Sequence, residues 1–153
     1  MTTKAENNIL SLKEQILDIQ NNGELGFRCF ILCERIISYG QYVPTMSNRV
    51  KVGKELKFYY EPLNLFTNRK DGVYQIWFTQ DMILRNSEGR ELMKNQKALN
   101  FNYQTVAPVL DVYATNSLEL GELPPGDYKY EAIIHDVLRD ARASTTYAFS
   151  IIK

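Results

Sequence analysis

The apolar residues of the chain change their spacing once. Between residues 9 and 20 they recur at intervals of three, four and three, which is the spacing that lines one face of an α-helix. These residues are Ile9, Leu12, Ile16 and Ile19. After Gly26 the apolar residues recur at every second position, as they do in β-strands. The pattern therefore predicts one short amphipathic helix followed by strands.

The ends of this helix are marked by polar residues and a glycine. We expect it to start at Asn8, or at Ser11 with Glu14 as a capping box. Asn22-Gly23 is expected to end it, because glycine tolerates the left-handed backbone of a C-cap. A helix this short is marginal in water by itself. We therefore expect it to dock on the body of the domain or on a partner.

Seven alternating runs follow, and turn residues separate them. The runs cover residues 27–34, 55–61, 74–78, 99–104, 118–120, 128–134 and 147–151. The turns contain Gly53, Asp71-Gly72, Glu88-Gly89 and Pro124-Pro125-Gly126. The pattern predicts an all-β fold, an antiparallel immunoglobulin-like β-sandwich of about seven to eight strands with one short N-terminal amphipathic helix. Residues 1–26 are the tail and helix, and residues 27–153 are the sandwich.

The first run is apolar on both faces. Cys29, Ile31 and Cys33 lie on one face, and Phe30 and Leu32 lie on the other. We expect the preceding helix to cover the second face. Four residues of strand separate the two cysteines by about 13 Å, which is too far for a disulfide.

Two positions of the sixth run predict specific bonds. Tyr128 follows Pro124-Pro125-Gly126, so its hydroxyl is expected to bond the preceding turn, as in a tyrosine corner. Asp136 has inward parity at the end of the run. Because a buried unpaired charge is costly, its carboxylate is expected to accept backbone N–H groups or to pair with an arginine.

Charge and apolar content exclude several classes of protein. Lys plus Arg and Asp plus Glu each number 18, so the chain has no net positive field and no nucleic acid is expected as a partner. No apolar run approaches the length of a membrane span. Met1 to Asn8 lacks the apolar run of a signal peptide. The expected location is the cell envelope or periplasm if a leader has been removed, and the cytoplasm otherwise.

The chain shows no constellation that carries chemistry. It has one histidine, His135, and its two cysteines lack metal-ligand spacing. It has no nucleophile elbow, phosphate loop or dinucleotide-binding fingerprint. We predict no catalytic residues, no cofactor and no metal, and hence no enzyme.

Aromatic residues are the candidates for binding. Trp77 has outward parity, so it is either covered by a loop or the helix, or used for contact. Tyr39 and Tyr42 lie in a turn segment, where they form a recognition surface or plug the end of the sandwich. Tyr59 and Tyr113 complete the set.

Three stretches together resemble a family. They are Cys33-x-x-Ile36-x-Ser38-Tyr39-Gly40-x-Tyr42, residues 50–74 with Asn64-x-Phe66 and Asp71-Gly72-x-Tyr74, and Leu123-Pro124-Pro125-Gly126-Asp127-Tyr128 followed by Asp136. In this order they resemble an uncharacterised bacterial immunoglobulin-like β-sandwich domain found in large, often envelope-associated proteins. The resemblance covers about residues 27–152. It implies a module without established activity.

Two hypotheses on function follow. The first is a non-catalytic structural or protein-binding module that engages a protein partner, or associates with itself, through a sheet edge, the Trp77 face or the helix. In the helix, Ile9, Leu12, Ile16 and Ile19 are then the contact residues. The second is a carbohydrate-binding module that presents Trp77, Tyr59 and Tyr113 to sugar rings.

Overall fold

A computed structural model describes residues 2–153, and within them the chain forms one helix and ten strands. The helix is α1 (Lys4–Asn22). The strands are β1 (Gly26–Ser38), β2 (Gln41–Pro44), β3 (Arg49–Lys51), β4 (Glu55–Leu63), β5 (Asn68–Lys70), β6 (Val73–Asn86), β7 (Glu91–Thr105), β8 (Ala114–Glu119), β9 (Gly126–Asp136) and β10 (Ala141–Ile152).

The strands form two sheets. One has the order β2-β1-β4-β8, and the other has the order β3-β10-β9-β6-β5, with β7 paired to β6. The predicted β-rich body is confirmed, but it has about ten strands instead of seven to eight. β2, β3 and β5 are three or four residues long, which is too short for alternation to reveal them. β3 also pairs with β10 in parallel, so the sheets are not purely antiparallel.

The apolar core lies between the two sheets. Leu32 and Phe58 of the four-stranded sheet pack in one buried cluster with Leu84 and Tyr130 of the six-stranded sheet. The Phe58 and Tyr130 rings stack with their centroids 4.6 Å apart. Each sheet thus buries one face against the other, which is how sheets with one apolar face become stable.

A chain of polar side chains crosses this core. The Tyr60 hydroxyl donates to Oε1 of Gln80 at 2.7 Å, and both residues are fully buried. Nε2 of Gln80 donates to the Tyr130 hydroxyl at 3.4 Å, which donates to Oδ1 of Asn116 at 3.1 Å. Burial raises the pKa of Tyr130 to about 12, so its hydroxyl stays neutral. The chain joins the two sheets by hydrogen bonds that compensate for the burial of polar groups.

Both bonds predicted around β9 are confirmed. The Tyr128 hydroxyl donates to the carbonyl of Pro124 at 2.7 Å. The buried carboxylate of Asp136 accepts the backbone N–H of Phe66 at 2.7 Å and lies 3.4 Å from Nε of Arg139. Burial raises the pKa of Asp136, and these two contacts oppose the rise.

The helix begins earlier than predicted, and it ends at Asn22-Gly23 as predicted. Thr3 is the N-cap, and it forms the capping box with Glu6, so the helix begins at Lys4 and not near residues 8–11. Apolar spacing missed the first turns because they are exposed on all sides. Gly23 is extended and not left-handed. A Cβ there would meet the side chain of Asn64, which would have to shift, so glycine allows this close approach.

The buried polar chain gives a stability prediction. Tyr60→Phe removes the donor to Gln80 and leaves Oε1 of that amide without its partner in the core. We expect the free energy of unfolding to fall by about 1–3 kcal/mol, measured by urea denaturation.

The double variant Tyr60→Phe/Gln80→Leu is the matched control for this prediction. Because it removes both partners, it should lose less stability than the two single variants together. Strictly additive losses would contradict the role of this hydrogen bond.

Candidate functional site

The helix docks on the body through its C-terminal half. Leu17 is its one buried residue among those described, with an exposed fraction of 0%. Nε2 of Gln20 donates to the carbonyl of Leu110 at 3.1 Å. The Asn21 side chain exchanges two hydrogen bonds with the backbone of Thr67, at 3.0 and 2.8 Å. The helix therefore sits against loops at one end of the sandwich.

This position corrects the prediction that the helix covers the second face of β1. The docking contacts come from loops at residues 67 and 110, and not from β1. The second face of β1, with Phe30 and Leu32, packs instead in the core between the sheets. The face with Ile31 lies beside tyrosines of the same sheet, since Ile31 pairs with Tyr59. Cys33 is buried there, Cys29 is half-buried, and both thiols are free. Burial raises the pKa of both thiols.

Arg139 anchors the end of the helix. Its Nη1 donates to the carbonyl of Gly23 at 2.8 Å, and its Nη2 donates to the carbonyl of Asn64. Its Nε faces Asp136, so one guanidinium joins the helix end, the loop after β4 and the end of β9. Helix C-termini leave carbonyls without intrahelical partners. Arg139 satisfies one of the carbonyls just beyond this end.

A second arginine holds the middle of the helix. Arg69 of β5 forms ion pairs with Glu14 and Asp18. Tyr74, which is opposite Arg69 in the β5–β6 pair, donates its hydroxyl to Glu14. The hydrogen bonds that Glu14 accepts, first from Tyr74 and then from Arg69, lower the pKa of its carboxyl group. The sequence pattern does not mark Leu17 as the docking residue of the helix. It also does not reveal Arg69 and Arg139, because nothing in the spacing brings these distant residues to the helix.

The apolar face of the helix remains exposed. The exposed fractions are 53% for Ile9, 59% for Leu12, 41% for Ile16 and 72% for Ile19. These are the four residues that the sequence assigned to one face. The docking face, with Leu17 and Asn21, lies on another side of the helix. The sequence left two docking modes open, and the helix docks through the buried Leu17, whereas these four side chains stay exposed.

The candidate tyrosines assemble on the outer face of the four-stranded sheet. Tyr42 lies 4.4 Å from Tyr59 between ring centroids, and Tyr59 stacks on Tyr113 at 5.5 Å. Tyr39 packs against Tyr113 at 6.4 Å. Tyr59 is fully buried in this cluster, and its hydroxyl accepts the N–H of Gly40 at 2.8 Å. The expectation that Tyr59 is an exposed contact residue is therefore wrong, since its neighbours cover the ring.

Charged side chains surround this tyrosine cluster. The Tyr59 hydroxyl donates to Glu61 at 2.7 Å, and Arg28 lies 3.5 Å from the same carboxylate. The Tyr39 hydroxyl donates to Asp111 at 3.1 Å. The cleft beside them has a volume of about 20 Å³, which is room for about one water molecule. These groups bond one another and hold the loop before β8 on the sheet.

Trp77 lies apart from the tyrosines. It belongs to β6 of the other sheet, where it is half-buried and its indole N–H donates to Oδ1 of Asn100 at 2.9 Å. The structure therefore does not bring Trp77, Tyr59 and Tyr113 together. A shared platform for a sugar ring, as predicted from the sequence, is not formed.

The longest open edge belongs to β7, and it carries features that discourage strand addition. Lys94 and Lys97 lie on it, and Lys97 has a positive φ of 53°. The pairing with β6 shifts register beside it, and Lys97 N donates to Asp81 at 2.8 Å. Lysines and bulges are devices that protect sheet edges.

Residues 2–153 contain no group of three or more His, Cys, Asp or Glu side chains arranged to hold a metal ion. His135 lies at the surface side of β9, with Nε2 at 2.9 Å from Asp140. Within residues 2–153, no helix combines the length and the apolar character that a membrane span needs.

No protein-family model matches the chain, and no curated protein matches it. Several solved structures are similar to the chain, and two of them are the following. One is the alkylpurine DNA glycosylase AlkC of Pseudomonas fluorescens bound to DNA containing an abasic site analog, with a TM-score of 0.47 and 11% identity over 96% of this chain and 43% of that chain. The other is an immunoglobulin-like protein of Pseudomonas aeruginosa, with a TM-score of 0.36 and 12% identity over 86% of this chain and 94% of that chain.

The first similarity corrects the prediction that the chain is no enzyme, because the similar structure is an enzyme. We withdraw that exclusion. The chain spans less than half of the glycosylase chain, and a similarity of this degree assigns no reaction. That the chain binds no nucleic acid stays a prediction.

Attachment of the helix should depend on pH through Glu14. Its pKa is lowered in the folded chain, so its contribution to stability is complete above its unfolded pKa of about 4.3 and is lost as pH falls through the lower folded value. Glu14→Gln should therefore lower the free energy of unfolding at pH 7, and lower it less at about pH 3. Urea denaturation at both pH values measures this.

Glu88→Gln is the control for Glu14→Gln, since it removes an exposed carboxyl from the turn between β6 and β7. It should leave stability unchanged at both pH values. An equal loss for Glu14→Gln at both pH values would contradict the role of the charge.

Proposed function

We propose that the chain is an immunoglobulin-like module that binds another polypeptide through the apolar face of α1, defined by Ile9, Leu12, Ile16 and Ile19. One observation carries the proposal. These four large side chains are between 41% and 72% exposed on a helix whose other face is fixed to the domain.

Exposure of this face is costly unless it is covered. Scattered apolar residues are normal on a protein surface, but a row of four on adjacent helical turns is a contiguous patch. Burial of one such side chain is worth about 1.5–3 kcal/mol relative to full exposure. A partner that covers the row recovers part of that free energy. Amphipathic helices commonly bind through residues at this spacing.

The other surfaces support the choice of the helix. The tyrosine cluster bonds internally around the buried Tyr59, and the edge of β7 is protected by Lys94 and Lys97. The resemblance to domains of envelope-associated proteins leads us to propose the cell envelope as the place of binding.

Ile16→Asp tests this proposal. Because Ile16 is exposed and Leu17 is the residue that the helix buries, the variant should keep its fold, with a free energy of unfolding within about 1 kcal/mol of the wild type in urea denaturation. Binding should be lost, measured by cross-linking the chain to its partners in lysate of the cells that express it.

Two control variants make this test specific. Ser11→Asp adds the same charge at an exposed position of the helix off the apolar face, and it should retain binding. Leu17→Ala removes the buried residue and should lower stability by about 2–5 kcal/mol. If Ile16→Asp destabilised the chain as strongly as Leu17→Ala, the face would pack on its own domain and the proposal would fail.

A further inference from the structure

We propose that the occupant of the apolar face is a second copy of this chain, with the two α1 helices side by side and parallel. The inference rests on the proposed function of this face and names its partner. Three properties of the helix support it: the repeat of its apolar residues, the charges beside them, and the way in which the helix is held.

The apolar residues follow a heptad repeat. Ile9 and Ile16 take position a, and Leu12 and Ile19 take position d. A face of this kind is complementary to itself, since a and d residues of one helix fit between those of the other. Isoleucine at a with leucine at d, as in the first heptad, favours two parallel strands, whereas isoleucine at both positions, as in the second heptad, favours three or four.

The residues beside the apolar face permit pairing with an identical helix. In a parallel pair, each g residue faces the e residue of the following heptad. Asn8 then faces Lys13 of the second copy. Gln15 faces Gln20 of the second copy, whose side-chain amide is already bonded to the carbonyl of Leu110 in its own domain. No like charges meet. In an antiparallel pair that aligns the same apolar residues, Lys13 of one copy lies opposite Lys13 of the other.

The acidic residues of the helix do not disturb this arrangement. Glu6 is bound to Thr3 in the capping box at the start of the helix, and Glu14 and Asp18 are bound to Arg69 on the docking side. In each helix, the residues that border the two heptads are therefore the amides of Asn8, Gln15 and Gln20 and one lysine, Lys13. A partner selected by opposite charge would need a charged border on this face, whereas an identical helix does not.

The sandwich holds the helix in an ordered state before it pairs. Two heptads are too short to form a coiled coil from unfolded peptides, because short helices are marginal in water. Here Leu17, Asn21 and Arg139 hold the helix in place before any partner binds. Pairing then avoids most of the cost of ordering a flexible segment.

The area of this face sets the expected strength. The apolar residues span about 15 Å of helix, from Ile9 to Ile19. A seam of that length is smaller than a standard interface of about 800 Å² per partner. We therefore expect a dimer that forms at high concentration and dissociates on dilution.

Sedimentation equilibrium of the purified chain tests the pairing. The weight-average mass should rise from the monomer value at about 5 μM toward twice that value at about 1 mM. Ile16→Asp should stay monomeric over the whole range, and Ser11→Asp should behave as the wild type. A dimer that Ile16→Asp leaves intact would overturn the proposal, as would a trimer.

Disulfide cross-linking tests the direction of the helices. In a parallel pair, residue 12 of one copy lies beside residue 12 of the other, so Leu12→Cys should form a covalent dimer on mild oxidation. The wild type, which has Cys29 and Cys33, and Ser11→Cys should not. Cross-linking only between Leu12→Cys and Ile16→Cys in a mixture would show an antiparallel pair and overturn the parallel one.

The outcomes separate this inference from the proposed function. If the wild type stays monomeric at about 1 mM but captures a different protein that Ile16→Asp does not, the second copy is refuted and the binding face stands. If it stays monomeric and captures nothing, both are refuted.

Discussion

The attachment of α1 by Leu17 and the polar groups around it constrains the surface that the domain presents. Leu17 is buried, and Asn21 and Gln20 bond backbone groups of two loops. Because a rigid helix can turn only one side to the body, these contacts direct Ile9, Leu12, Ile16 and Ile19 to solvent. The position of the binding face is thus determined by the side of the helix that is attached to the body.

The body provides a stable base for that attachment. Its two sheets share an apolar core, and the hydrogen-bonded chain from Tyr60 through Gln80 to Tyr130 links them across it. Arg139 extends this link to the helix, since its guanidinium bonds the carbonyl of Gly23 and faces the buried carboxylate of Asp136. The helix is therefore fixed to the same end of the sandwich where β9 ends.

The aromatic residues show how burial decides the use of a side chain. Tyr59 stacks between Tyr42 and Tyr113 and bonds Glu61, so it stabilises the outer surface of its sheet. Trp77 has an equally outward position but lies on the other sheet, bonded to Asn100. Parity along one strand predicts that a residue faces outward. It does not predict which neighbours from other strands cover it.

The sequence by itself determined the β-rich class, the amphipathic helix, the bond of Tyr128 to its own turn and the inward position of Asp136, because these depend on residues close in the chain or on their parity. The N–H of Phe66 that Asp136 accepts lies 70 residues away, and the tertiary structure brought it there. It missed β2, β3 and β5, which are too short for a period to appear. Only the tertiary structure decided which side of α1 meets the body. That choice depends on Arg69, Thr67, Leu110 and Arg139, which are 46 or more residues from the helical residues that they contact. Spacing along the helix describes an apolar face, whereas contacts of such long range decide whether that face is covered.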